Sequence, residues 1–241
     1  MDGRSTLPFD SFDGLANHTV FCLWTGANAL SDRRISALWS IVNNLACPIA
    51  FLSPYSLRRW ELPQAPFHPA FELLSPTHRA DYLRSYLMHH YGGGYTDLKM
   101  SSKSWWSSFE RLRASSALAL GYTEVGPGGV APVAGPEGDL LRANYDSLIG
   151  CGAFIFRRRT ALTEAWYGNT VRALDAKLDA LRRHPARHPQ DRLGAQFDDG
   201  SVSEYPFAWT ELLGNILHPL IYEYRAQVLH DDIAPQMHDY R

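Results

Sequence analysis

Three features of the chain predict an α/β fold with a mostly parallel central sheet. Short apolar runs rich in strand formers alternate with longer stretches of helical periodicity. The first alternation, strand, helix and strand over residues 18–54, has the spacing of a parallel βαβ unit. No internal repeat or linker divides the 241 residues, a length that suits one large domain.

The first 17 residues are polar and irregular and are expected to form a flexible arm. A single domain over 18–229 and a tail over 230–241 complete the expected organisation. HTVFCLWTG (18–26) reads as a strand bounded by Gly26 and Asn28. SDRRISALWSIVNNL (31–45) reads as a helix, with Ser31 as N-cap and Ile35, Leu38, Trp39 and Val42 at helical spacing. PIAFLSP (48–54) reads as a second buried strand closed by proline.

After a Pro-rich connection over 63–69, SPTHRADYLRSYLMHHY (75–91) carries the strongest helix signal. Ser75 caps it, and Pro76 falls at the first helical position, where a missing N–H costs nothing. GYTDLKM follows as a strand, SWWSSFERLRAS (104–115) as a short helix, and ALALGYTEV (117–125) as another strand. GPGGVAPVAGPEG (126–138) is expected to be a loop, useful as a lid if something binds nearby. SLIGCGAFIFRRR (147–159) predicts a strand and residues 160–184 a long amphipathic helix. WTELLGNILHPLIYEYRAQV (209–228) is apolar, with a break expected at His218–Pro219.

Composition narrows the function classes. Hydrophobic content of 45% and charged content of 20% are ordinary for a globular protein. A net charge of −2 gives no electrostatic case for nucleic acid as a partner. Seven Trp, 12 Tyr and 11 Phe make the chain mildly rich in aromatics, which suit flat or sugar-like ligands as well as cores. The N-terminus lacks a signal-peptide pattern, and no run approaches the ~20 apolar residues of a membrane span. Cys22, Cys47 and Cys151 are scattered without metal-ligand spacing, which fits a reducing cytoplasm.

Chemistry concentrates around HHYGGGYTDLKM (89–100). On the preceding helix, Ala80, Leu83, Leu87 and Tyr91 form an apolar stripe, with Arg84 and Asp81 on its flank. A guanidinium on that side must be paired or face a ligand. An intrahelical Asp81–Arg84 ion pair and a polar pair aimed into a cleft both satisfy this. One glycine would end the helix. Three in a row, Gly92, Gly93 and Gly94, suggest steric clearance for a ligand or another backbone, or a tight structural turn. Asp97 then sits near the carboxyl end of its strand, where open α/β sheets collect ligands.

The helix with Asp-x-x-Arg followed by Gly-Gly-x-Tyr-x-Asp resembles the DXD-containing sugar-binding region of GT-A glycosyltransferases. Mannosyltransferase-like, capsular-polysaccharide and chlorella-virus N-terminal glycosyltransferase domains are the groups it resembles. Further matching pieces are LWTG, LIGCGAFIF and YPFAWTELLGNILHP, so the resemblance spreads over residues 20–220. It implies a GT-A fold with a Rossmann-like sheet, and transfer of a sugar from a nucleoside-diphosphate donor, a UDP-sugar above all, to a glycan hydroxyl. Trp24 matches the position of an aromatic stacked on uracil, with Thr25 and Gly26 beside it. Asp81, Arg84, Gly93, Gly94 and Tyr95 match donor-binding positions, and Asp97 a ligand of Mn²⁺ or Mg²⁺ bridging the donor phosphates. Such a cation stabilises the charge that develops on the leaving diphosphate. His218 or Glu211 would complete the metal shell.

The chain departs from the family at Lys99, which stands where the second acid of Asp-x-Asp is expected. Lys99 either neutralises phosphate directly, leaving Asp97 as the main protein ligand of a metal whose role is weakened, and acts with Asp97 and Arg84 in catalysis, or marks a degenerate site in a non-catalytic nucleotide-sugar or glycan-binding module. The first reading is favoured because Asp81, Arg84 and the glycine run are intact. A nucleotide-sugar hydrolase is the enzymatic alternative. Glu124 and Asp146 are the carboxylates placed to act as a base toward an acceptor, and the sequence does not choose between them.

Overall fold

The computed structural model describes residues 18–237, so the expected arm over 1–17 lies outside them. Its strands are Val20–Leu23 (β1), Ile49–Leu52 (β2), Gly93–Thr96 (β3), Ala119–Thr123 (β4), Ile149–Phe156 (β5) and Val228–His230 (β6). They form one sheet in the order β2-β1-β3-β5-β4-β6. β1 pairs in parallel with β2 and β3, and β4 with β6, while β5 runs antiparallel to both of its neighbours. The mixed α/β architecture expected from the sequence is therefore present, with a mostly parallel, Rossmann-like sheet.

The helices are Asp32–Asn44 (α1), Pro76–His90 (α2), Trp106–Arg113 (α3), Gly135–Ala143 (α4), Ala161–Arg183 (α5) and Gly214–Glu223 (α6). Side chains alternate across β1 and divide the core in two. Val20 and Cys22 pack with Ala37 and Ile41 of α1 and Phe109 and Leu112 of α3. Phe21 and Leu23 belong to the opposite cluster, with Leu83 and Leu87 of α2, Trp166 of α5 and Ile221 of α6. The caps read from sequence form: Ser31 accepts from the Arg34 amide and Ser75 from the His78 amide. Thr160 and Thr163 add a reciprocal capping box at the start of α5.

Several elements differ from expectation. The apolar stripe on α1 does not face the sheet: Ile35, Trp39 and Val42 are exposed, while Ala37, Ser40 and Ile41 are buried. Small residues let the helix approach closely, and Ser40 is satisfied there, donating to the Ala37 carbonyl and accepting from the Ser101 amide. β2 is only half-buried because it is a sheet edge. The expected loop over 126–138 turns helical at Gly135, where a φ of +70° leads into Pro136 and the first turn of α4. α6 runs through Pro219 rather than breaking, held by buried Leu217, Leu220 and Ile221 on both sides of it. β6, unforeseen, ends at His230, and the segment after it stays on the sheet, the Asp231 amide donating to the Gly121 carbonyl at 2.9 Å.

This topology creates a crevice at one end of the sheet. β1 crosses to β2 on one side while β3 lies on the other, so the order reverses between β1 and β3. Chain crossovers leave a crevice at the carboxyl ends of strands at such a point.

Candidate functional site

The glycine run shapes the passage from α2 into β3. Gly92 and Gly93 take φ of +66° and +90°, a region that L side chains avoid. The Gly92 amide donates to the Leu87 carbonyl at 3.1 Å and closes the helix. A Cβ at Gly92 would lie 2.9 Å from the Arg158 amide nitrogen, and one at Gly94 would lie 3.0 Å from the Trp105 ring. The clearance thus serves the protein's own backbone and core. Gly93 and Gly94, expected at donor-binding positions, are buried in β3 and line neither cavity of the cleft.

What the turn achieves is to bring Arg84 of α2 against Tyr95 and Asp97. Arg84 donates from Nη1 to Asp81 Oδ1, and from Nη2 to Tyr95 Oη and Asp97 Oδ1, each at 2.7 Å. The Tyr95 hydroxyl also donates to Asp97 Oδ1 at 2.8 Å, and the guanidinium lies 4.5 Å from the Tyr95 ring centroid. Lys99 Nζ stands 3.0 Å from Asp97 Oδ2. Asp81 and Arg84 are therefore an intrahelical pair and a cleft-facing pair at once, because both line the second of the two cavities described below.

The electrostatics follow from these partners. Burial alone would raise the Asp97 carboxyl, but Arg84, Lys99 and the Tyr95 hydroxyl outweigh it and hold the group below the ordinary carboxylate value. Asp81 is 3% exposed, and there burial wins over Arg84, so its carboxyl is raised. Burial works against the Arg84 charge, and Tyr95, Asp97 and Asp81 more than restore it.

Two cavities, of about 430 and 480 Å³, meet at Arg34, Thr77, Arg84, Asp97 and Gln190. The first is walled by Trp24, Thr25 and Gly26 after β1, with Thr77 of α2 and Gln190 facing them. Trp24 is half-buried and its indole Nε1 donates to the Asn28 carbonyl at 2.7 Å, while the Thr25 hydroxyl donates to the Pro76 carbonyl. The second holds Lys99, Glu124, Cys151, Trp209 and His218. Glu124, just past β4, is 6% exposed, and its carboxyl is raised by burial although Oε1 accepts from the Val125 amide at 2.8 Å. His218 Nδ1 accepts from the Ala131 amide at 3.0 Å, and burial lowers its imidazole to about 4.

The residues do not fit a metal centre of the expected kind. Asp97, His218 and Glu211 do not converge. Glu211 is bound to Lys177 and to the Ala208 amide at 2.9 Å, and it lines neither cavity. His218 Nδ1 is occupied by the Ala131 amide, which leaves Nε2, 3.4 Å from Cys151 Sγ and 3.6 Å from Glu124 Oε2, to carry the imidazole proton rather than a metal. Both Asp97 oxygens already meet cationic donors. Among the described residues, no three His, Cys, Asp or Glu side chains form a group able to hold a metal ion.

Other residues of the site gave weaker signals in sequence. Arg34 reaches both cavities from α1, where it donates to the Leu98 carbonyl. HPARHPQD (184–191), expected to be surface loop, also walls the first cavity through His188, Pro189 and Gln190. It is anchored by Asp191, 1% exposed, which accepts from the Arg187 amide at 2.8 Å and the Ser203 hydroxyl at 2.6 Å. The glycines of LIGCGAFIF have a steric role. A Cβ at Gly150 would lie 2.0 Å from the Tyr122 ring, and one at Gly152 would lie 3.3 Å from Asp97 Oδ2. Asp146 is exposed and lines neither cavity.

No family model and no curated protein matches the chain. Among solved structures, one titled "PaToxG Glycosyltransferase" aligns at a TM-score of 0.38 and 11% identity, over 69% of this chain. The chain spans 64% of that protein's length. No helix among the described residues is long and apolar enough to cross a membrane.

Proposed function

We propose that the protein is a glycosyltransferase of GT-A type that moves a sugar from a nucleoside-diphosphate donor, UDP-linked by first choice, to a glycan hydroxyl. The observation that carries this reading is the pair of cavities meeting at a cationic junction, at the carboxyl ends of β1 and β3. Trp24 offers a ring for the base in the first cavity. Arg84 and Lys99 flank the junction where a diphosphate would lie, and the second cavity takes the sugar and its acceptor.

Transfer breaks the bond between the anomeric carbon and the phosphate oxygen, leaving negative charge on the diphosphate. Fixed cations stabilise that charge without reorganising during the reaction. Glu124 lines the second cavity with Asp81 and Asp97 but, unlike them, is not bound to Arg84, and its raised pKa suits the acceptance of a proton from an acceptor hydroxyl.

The test is incubation with UDP-glucose, UDP-galactose, UDP-N-acetylglucosamine and GDP-mannose, with a mixed oligosaccharide pool as acceptor. Free nucleoside diphosphate together with a mass gain on an oligosaccharide is the expected result. Diphosphate release with sugar passed only to water identifies a hydrolase. Donor binding without turnover identifies a binding module, and an absence of binding overturns the reading.

A further inference from the structure

We propose that this site holds a donor diphosphate with its own fixed cations, Lys99 and Arg84, and works without a divalent metal. The proposal rests on the nucleotide-sugar reading above. Three observations carry it.

The first is placement. The Lys99 amide donates to the Asp97 carbonyl at 2.7 Å, a tight turn that returns the lysine toward Asp97. Its ammonium reaches 3.0 Å from Asp97 Oδ2, in the cavity that also holds Glu124 and His218. The charge of Lys99 thus occupies the ground where a metal on Asp97 would sit.

The second is saturation. Asp97 Oδ1 accepts from Arg84 and Tyr95, and Oδ2 is paired with Lys99. A divalent ion binding there would have to displace an ammonium or settle beside two cationic side chains, and like charges at that range repel. The neighbouring acid Asp81 is itself engaged by Arg84 at 2.7 Å.

The third is sign. Arg34, Arg84 and Lys99 line the second cavity with three carboxylates, Asp81, Asp97 and Glu124, of which Asp81 and Asp97 are already paired with Arg84 and Lys99. Fixed cations suit a diphosphate, whereas a metal site needs a surplus of carboxylate, and this cavity has none. Asp97 then acts as a positioning residue, holding Lys99 and Arg84 toward the phosphates.

Calorimetry of the full chain with UDP and GDP, in EDTA and again with Mn²⁺, tests this. The expected result is binding of at least one nucleotide in EDTA, with Mn²⁺ tightening it by less than about threefold. Tightening of about threefold or more, or binding only with Mn²⁺, overturns the metal-free site but leaves the donor reading standing. No binding of either nucleotide under both conditions overturns the donor reading itself.

Two variants sharpen the result, each checked for folding by thermal melting. Lys99→Gln should weaken binding in EDTA about tenfold, the worth of one charge-assisted hydrogen bond, with no rescue by Mn²⁺. Lys99→Asp, which restores Asp-x-Asp, should lose at least as much in EDTA and regain it with Mn²⁺. Wild-type affinity of Lys99→Gln in EDTA overturns the proposal. If either variant fails to fold, the comparison on the wild-type chain decides alone.

Discussion

Replacing Arg84 by alanine is the perturbation with the largest consequence for both stability and binding. The side chain is 12% exposed, and it holds two carboxylates, Asp81 at 4% and Asp97 at 22% side-chain exposure. Two charge-assisted hydrogen bonds at about 1.5–3 kcal/mol each bracket a loss of roughly 3–6 kcal/mol. Removing one partner of a buried ion pair gives about 3–5 kcal/mol by a separate route. Because the site opens on a cavity, the lower end applies, about 3 kcal/mol, or a fall in Tm of roughly 6–12 °C for a domain of this size.

The loss should depend on pH with a definite sign. Asp81, raised by burial, binds its proton more readily folded than unfolded, and losing Arg84 raises it further. Asp97 is held low in part by Arg84, so the wild type carries stability above the ordinary carboxylate pKa that it loses as pH falls. Both effects narrow the gap between wild type and variant from pH 8 to pH 4. Urea melts at the two pH values measure it. A gap below about 1 kcal/mol, or one that widens in acid, would refute the role given to Arg84 as the partner of both carboxylates.

Three further outcomes are expected. Trp24→Ala should weaken UDP about 5- to 150-fold in calorimetry, the worth of one base-stacking contact, and an unchanged affinity would remove Trp24 from the base site. His218, with its folded pKa near 4 against an ordinary 6.5, stabilises fully above the unfolded value and loses that stability as pH falls. The loss is about 2 kcal/mol by pH 5, and His218→Gln should flatten this part of the pH–stability curve. Gly150→Ala drives a methyl into the Tyr122 ring and should cost about 1–3 kcal/mol in denaturant melts, whereas Gly128→Ala, with nothing within 4 Å of its Cβ, should leave stability unchanged.

The parts of this fold that were legible in sequence are those governed by local rules. Ser75, Pro76 and the run to His90 announce α2 through its cap and first turn, and FCL and AFL announce parallel strands through unbroken apolar residues. Legibility fails where packing decides. On α1 the large apolar residues are outside, because contact with the sheet is made through Ala37 and Ile41. β6 is three residues long and exists through its pairing with β4. In the site, Asp81, Arg84, Tyr95 and Asp97 were readable because one helix, one turn and one strand hold them all. Arg34, Gln190 and Cys151 reach the same cleft from distant segments, and nothing in their local sequence says so. The glycine run signalled a close approach, but the approach is of Arg158, Trp105 and Val20.

The central claim is that the two cavities bind a donor and its acceptor for sugar transfer. Its most direct test is one mass-spectrometric time course of the wild-type chain with the donor panel and the oligosaccharide pool, in EDTA. The expected result is one donor consumed, its nucleoside diphosphate released, and an equal amount of sugar gained by an oligosaccharide. All donors remaining intact, in EDTA and after addition of Mn²⁺, would contradict it.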